Sequence, residues 1–218
     1  MVTIKISYST DEQTSSIINN YRKQYSSCLH VMYNQTVKNI PEKQLRLNSK
    51  SLNNIELLDS WFIQSSIMEA KQLKLTNPDK LIFGGKKLFK LRLNNLITNE
   101  QFKNQRLSDL YSIGESAKKG NRKFKINQDL STILFKPNKN SKFNLVLPKL
   151  KKNLRTCLSK LYELQEQSLI TITYKLSSNY IYLSYDEKLL AEQPSKQIEN
   201  RVLAIDLNPN YIGLSIVD

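Results

Sequence analysis

Residues 169 to 186 read "LITITYKLSSNYIYLSYD". β-branched and aromatic residues alternate with polar ones on both sides of Ser177-Ser178-Asn179, the signature of a hairpin with one buried face. Upstream, Val2, Ile4, Ile6 and Tyr8 alternate in the same way and predict a strand. Two short apolar runs, residues 132 to 135 and 143 to 147, read as further strands separated by the basic turn "KPNKNSK".

Between these strands the period changes to that of helices. Ser9 with Glu12 forms a capping-box pattern, Asp11 adds first-turn negative charge, and Ile18, Tyr21, Tyr25, Leu29 and Met32 recur at three and four until Pro41. A second helix is expected from about residue 54 to 76, with Ile55, Leu58, Phe62 and Met68 inward, Trp61 joining that core and Asn77-Pro78 as its stop. Thr98 and Gln101 form another capping box, opening a helix expected to run through Phe102, Leu107, Leu110 and Tyr111 to Gly114. Pro148 sits at the start of a helix carrying Leu150, Leu154, Cys157, Leu161 and Leu164. The fold class is therefore α+β, with helices inserted between strands that share one small antiparallel sheet or barrel. There is no internal repeat.

A length of 218 residues with 39% hydrophobic and 24% charged content is enough to bury a core. The 22 Asn and only 5 Gly reflect an AT-biased coding sequence. The net charge of +14 is concentrated: residues 80 to 160 hold 20 Lys or Arg against 4 acids, a balance of +16, which leaves −2 for the other 137 residues. Such a field attracts a polyanion, and nucleic acid is the leading candidate, because neutralised phosphates release counterions. The bland alternative is a solvated lysine-rich face.

Two stretches hold ten of those twenty cations. "KLIFGGKKLFKLRLNN", residues 80 to 95, interleaves cations with Phe83 and Phe89, and its glycine pair permits backbone conformations closed to other residues. "SAKKGNRKFKIN", residues 116 to 127, packs five cations into eight positions. Lys86, Lys87, Lys90, Arg92, Lys118, Lys119, Arg122, Lys123 and Lys125 are the candidate phosphate contacts, and Asn121 a candidate polar partner able to donate and accept. Phe89 and Phe124 either stack on bases or anchor their loops half-buried, and the second reading is favoured.

Cys28 and Cys157 form no paired spacing and read as small buried hydrophobes, so neither a zinc site nor a disulfide framework is indicated. His30 is the only histidine, which removes histidine-based metal sites and most nucleophile–histidine chemistry. No signal peptide or membrane span is visible, and the expected location is cytoplasmic, with no membrane partner.

The last stretch, "RVLAIDLNPNYIGLSIVD" at 201 to 218, is a strand, a polar turn and a second strand, with Asp206 alone among apolar residues. A buried carboxylate is costly unless it is paired or binds a metal. RNase H-like nucleases present their first Mg²⁺-binding carboxylate on such a strand. Actin-like ATP-binding domains open similarly, but here the turn is Asn-Pro-Asn and Gly213 comes only on the return strand, which disfavours a phosphate cradle. A third reading is that Asp206 merely terminates an edge strand.

"VLAIDLNPNYIGLSIVD" resembles the first RuvC motif of the TnpB proteins and their type V CRISPR relatives, RNA-guided DNA endonucleases. "FGGKKLF" at 83 to 89 and "GNRKFKI" at 120 to 126 are also similar to segments of TnpB-like proteins from low-GC bacteria and their phages. The likeness is loose over about 200 residues and specific over some 30. It implies a first wedge strand at 1–10, a helical recognition insert at 11–80, a basic OB-like wedge region at 81–186, a linker at 187–200 and the start of a RuvC-like nuclease at 201–218. It implies guide RNA and target DNA as partners, and Asp206 as the first catalytic, Mg-binding carboxylate. The family's remaining carboxylates and its zinc ribbon lie beyond this motif, so the 218 residues are expected to be catalytically incomplete alone. Two alternatives stand beside this reading: a non-catalytic or repressor-like nucleic-acid-binding protein, and one subunit of a split nuclease completed in trans by a second polypeptide carrying the rest of the RuvC domain.

Overall fold

The computed structural model describes residues 1–53, 55–190, 202–208 and 211–217, the last two segments by their backbone. The expected hairpin forms: β6 (Thr173–Leu176) and β7 (Tyr180–Tyr185) pair antiparallel, with Leu176 opposite Ile181. Ser177 closes it, its Oγ accepting from the Tyr180 N–H at 2.9 Å. The hairpin is the centre of a four-stranded sheet, because β1 (Val2–Ser7) adds to β7 and β2 (Leu110–Ser112) adds to β6, giving the antiparallel order β1-β7-β6-β2. Along β7, Ile181, Leu183 and Tyr185 turn inward while Tyr182 and Ser184 stay partly exposed, the alternation that the pleat dictates.

A second sheet is a meander of β3 (Phe124–Ile126), β4 (Thr132–Phe135) and β5 (Phe143–Val146). Phe124 joins the two sheets. Its ring stacks on Phe135 at 4.8 Å and on Tyr174 of β6 at 4.9 Å, and all three side chains are fully buried.

Among the described residues the strands do not close into a barrel. Between the two sheets the backbone ladder is limited to isolated bridges, Ser9 with Val146 and Gly114 with Asn121. The reason is length: β2 and β3 have three residues each and are separated by a loop, so no continuous ladder spans that corner.

Five helices lie in the chain between β1 and β2: α1 (Glu12–Val37), α2 (Glu42–Ser49), α3 (Ser60–Thr76), α4 (Gly85–Leu93) and α5 (Asn99–Gln105). The helical block thus runs past residue 80. α1 is capped by Asp11, whose carboxylate accepts from the Thr14 N–H at 2.7 Å; Ser9, expected as the cap, bonds to Val146 through its backbone instead. Ile18, Tyr21, Tyr25, Cys28, Leu29 and Met32 of α1 and Phe62, Ile67 and Ala70 of α3 are all core residues. α3 begins at Ser60 under the Asp59 cap, six residues later than expected, and Met68 is only partly buried.

The capping box of Thr98 and Gln101 is present with both bonds made, at 2.8 and 3.1 Å. The helix it opens stops at Gln105, not near Gly114. Leu110 and Tyr111 belong to β2, where pairing with Leu176 and Lys175 buries them against the sheet. α6 (Lys152–Glu166) forms close to its expected place, and Gln165 ties it to β3 by accepting from the Ile126 N–H at 2.9 Å and donating to the Ile126 carbonyl at 3.0 Å.

β8 (Val202–Asn208) and β9 (Tyr211–Val217) form a two-stranded antiparallel sheet with Asp206 opposite Gly213. Most of the expected linker, residues 191 to 200, lies outside the described residues. Among the described residues no helix is long and apolar enough to cross a membrane.

Candidate nucleic-acid interface

The glycine pair of the first basic stretch turns the chain into α4. Gly84 adopts φ +84°, and a Cβ there would lie 2.6 Å from Leu88 Cδ2 and 2.9 Å from Arg106 Cβ, so only glycine lets α4 sit down on α5. Leu88 is then buried, while Lys86, Phe89, Lys90 and Leu93 recur at i, i+3, i+4 and i+7 along one exposed face. Lys87 is exposed beside them. No carboxylate among the described residues lies within ion-pair distance of Lys86, Lys87 or Lys90. Phe89 is 39% exposed and Leu93 62%. Arg92 is half-buried and reaches Asn95 Oδ1 at 3.5 Å.

The second basic stretch has a different character. Asn121, expected to face a ligand, is fully buried and is a fastener of the fold. Its Oδ1 accepts from Ser112 Oγ (3.0 Å) and from the N–H groups of Lys123 (2.8 Å) and Phe124 (3.2 Å). Its Nδ2 donates to the carbonyls of Ser112 (3.2 Å), Ile113 (2.9 Å) and Ile172 (3.0 Å). An amide both donates and accepts, and here that capacity closes the corner between β2, β3 and β6.

Lys123 is likewise buried, paired with Asp59 and donating to the Pro137 carbonyl at 2.8 Å, so it offers no phosphate contact. Arg122 forks onto Glu115, with Nη2 donating to Oε1 at 2.9 Å, and lies over the Trp61 ring at 4.2 Å. That bond holds the Glu115 carboxyl below its ordinary range and raises the Arg122 guanidinium further. Lys119 pairs with Glu166. Lys118 is exposed near Glu115. Lys125 is half-buried, and desolvation together with Lys136 and Lys119 pushes its ammonium down. Phe124 is not a half-buried loop anchor but a fully buried strand residue, while Phe89 stays on the surface.

Two groupings escape a reading of the sequence. Tyr25 donates to buried Glu69 at 2.8 Å, Lys175 pairs with Glu69 at 2.9 Å, and Arg22 reaches Asp109 at 3.5 Å, which pins α1 and α3 to the sheet edge. A cavity between α1 and α5 collects Lys23, His30, Lys103 and Arg106. These positions lie some seventy residues apart in sequence, and nothing local marks them.

Asp206 is placed by its backbone alone. It is the one acid of β8 and β9, and one carboxylate does not make up the donor set that two-metal chemistry needs. Among the described residues no group of three His, Cys, Asp or Glu stands together to hold an ion. No protein-family model matches the chain, and no curated protein matches it.

Proposed function

We propose that the chain binds nucleic acid, as the recognition and wedge portion of a TnpB-like RNA-guided nuclease, with guide RNA and target DNA as its ligands. The carrying observation is α4: Lys86 and Lys90 beside the exposed Phe89 ring on one face, with Lys87 exposed next to that face, none of the three having a carboxylate partner among the described residues. Cations that serve only the fold are paired here, as Lys119, Arg122 and Lys123 are. Unpaired lysines beside a ring provide phosphate neutralisation and a stacking platform at once.

Two further features support the family reading. The single bridges at Ser9–Val146 and Gly114–Asn121 link both sheets edge to edge, as in a small OB-like barrel opened at two corners. The β8–β9 hairpin carries Asp206 opposite a glycine, an arrangement consistent with the first carboxylate of a RuvC-like sheet whose Mg²⁺ site needs further carboxylates. In this reading the cell compartment is the cytoplasm, where guide and target meet.

Completion in trans is a second reading with its own observation: β8–β9 is a two-stranded sheet among the described residues, and its edges suit strand addition from another chain.

The test is a fluorescence-anisotropy titration with a labelled structured RNA. Binding that is micromolar or tighter at low salt supports the function, and absence of binding to RNA and DNA alike at low salt refutes it. Mg²⁺-dependent cleavage of DNA by these 218 residues alone would contradict the incomplete-site assignment.

A further inference from the structure

The cavity between α1 and α5 has a volume of about 380 Å³, within the range of small-ligand sites. Its walls are Lys23, Ser26, Ser27 and His30 from α1, and Glu100, Lys103, Asn104, Arg106 and Leu107 from α5 and the residues after it. Three cations face one carboxylate. None of Lys23, Lys103 and Arg106 has a carboxylate within ion-pair distance among the described residues, in contrast to the cations of residues 119 to 123.

The polar groups around them have capacity left. Ser26 Oγ accepts from the Ser108 N–H at 2.7 Å and still has a proton to donate. Asn104 is exposed at the rim. His30 stacks on Phe83 at 3.7 Å, and its Nε2 is buried with no hydrogen-bond partner among the described residues. Three cations converging on one carboxylate make the cavity a region of positive potential, which a bound anion offsets.

We propose that this cavity binds one phosphate group, with Lys23, Lys103 and Arg106 supplying the charge and Ser26 and Asn104 the further hydrogen bonds. A phosphodiester presents oxygens in several directions and suits cations arriving from two helices, whereas a carboxylate presents two in one plane. The volume leaves room for an attached sugar. Deepening the proposed function, and resting on it, the phosphate is one link of the strand that α4 holds. α4 packs on α5, and Gly84 at the α4 cap lies against Arg106 of the cavity wall.

The single histidine makes the test direct, because its imidazole C–H signals are unique in the proton NMR spectrum. Burial and the neighbouring Arg106 hold His30 down at about 4, so it is neutral at pH 7 and reports occupancy without titrating itself. The full chain is titrated at constant ionic strength with inorganic phosphate, with a single-stranded RNA hexamer and with a methylphosphonate hexamer of the same sequence. The expected result is a saturable His30 shift with phosphate, the same shift at lower concentration with RNA, and none with the uncharged backbone.

In the Lys23→Gln/Lys103→Gln variant, which alters two exposed side chains and leaves the remaining spectrum unchanged, the affinity falls roughly tenfold. Absence of a saturable shift with either phosphate source, or a shift that this variant leaves intact, overturns the site. RNA binding without a His30 response also overturns it while sparing the proposed function. A response to phosphate with no RNA binding removes the strand as its source and the proposed function with it, and assigns the site to a free phosphate or phosphomonoester.

Discussion

Replacing Asn121 by Ala removes six hydrogen bonds from a side chain with no exposed surface. The N–H groups of Lys123 and Phe124 lose this acceptor, and the carbonyls of Ser112, Ile113 and Ile172 lose this donor. A buried group left unsatisfied costs about 1–3 kcal/mol, carbonyls somewhat less than N–H groups, so the two donors dominate and the total is about 3–5 kcal/mol. Against a typical domain stability of about 5–15 kcal/mol, that is a large share. Urea unfolding followed by circular dichroism measures it as a lowered midpoint at constant slope. Asn121→Asp separates the two halves of the network. It keeps the acceptor for both N–H groups but turns an oxygen toward three carbonyls, and it should destabilise at neutral pH at least as much. Below saturation of unfolding, RNA affinity per folded molecule should stay within about twofold, since Asn121 touches no ligand. A change in stability of less than about 1 kcal/mol for Asn121→Ala would refute the fastener assignment.

Further outcomes follow from the same geometry. Gly84→Ala should cost about 2–4 kcal/mol, because backbone strain adds to a collision with Leu88 and Arg106, whereas Gly85→Ala, at φ +85° but facing open space, should cost only about 1–2 kcal/mol by the same unfolding assay. Lys123→Met breaks the Lys123–Asp59 pair and frees the Pro137 carbonyl; it should cost about 1–3 kcal/mol, Asp59 being partly hydrated, and leave RNA binding unaltered. Lys71, Arg46 and Gln64 hold Glu42 at about 2, below its ordinary 4.5. A carboxylate depressed in the folded state contributes stability above its unfolded value, and that contribution disappears as pH falls through the folded one. The difference in melting temperature between wild type and Glu42→Gln should therefore be present at pH 7 and vanish by about pH 2; a difference independent of pH would count against the pairing.

The fold was legible where pattern and context agree. The 169–186 hairpin, the α1 periodicity and the Thr98–Gln101 cap appear as the residues suggest, because alternation, helical spacing and capping are local. The end of α5 was not legible. Leu107, Leu110 and Tyr111 keep helical spacing, but β6 offers Leu110 and Tyr111 a deeper burial in the sheet than a fourth helical turn could. Ser9 reads as the cap with Asp11 in the first turn, but Val146, the last residue of β5, pairs with the Ser9 backbone and Asp11 becomes the cap. In the basic middle third of the chain, charge density did not tell which cations have carboxylate partners and which do not. Five cations in eight positions looked like the grip, yet Lys119, Arg122 and Lys123 face Glu166, Glu115 and Asp59, of which Glu166 and Asp59 are drawn in from distant segments. The phosphate cavity had no local signature, because only the docking of α5 on α1 assembles it.

The salt dependence of RNA affinity tests the central claim most directly. Each phosphate contact to a single strand contributes about −0.7 to the slope of log K against log salt. Wild type should show a steep negative slope, Lys86→Gln/Lys87→Gln/Lys90→Gln should flatten it by about 2, and Lys123→Met should leave it unchanged. Salt-independent binding, or a triple variant with the wild-type slope, would contradict the assignment of the α4 face as the nucleic-acid surface.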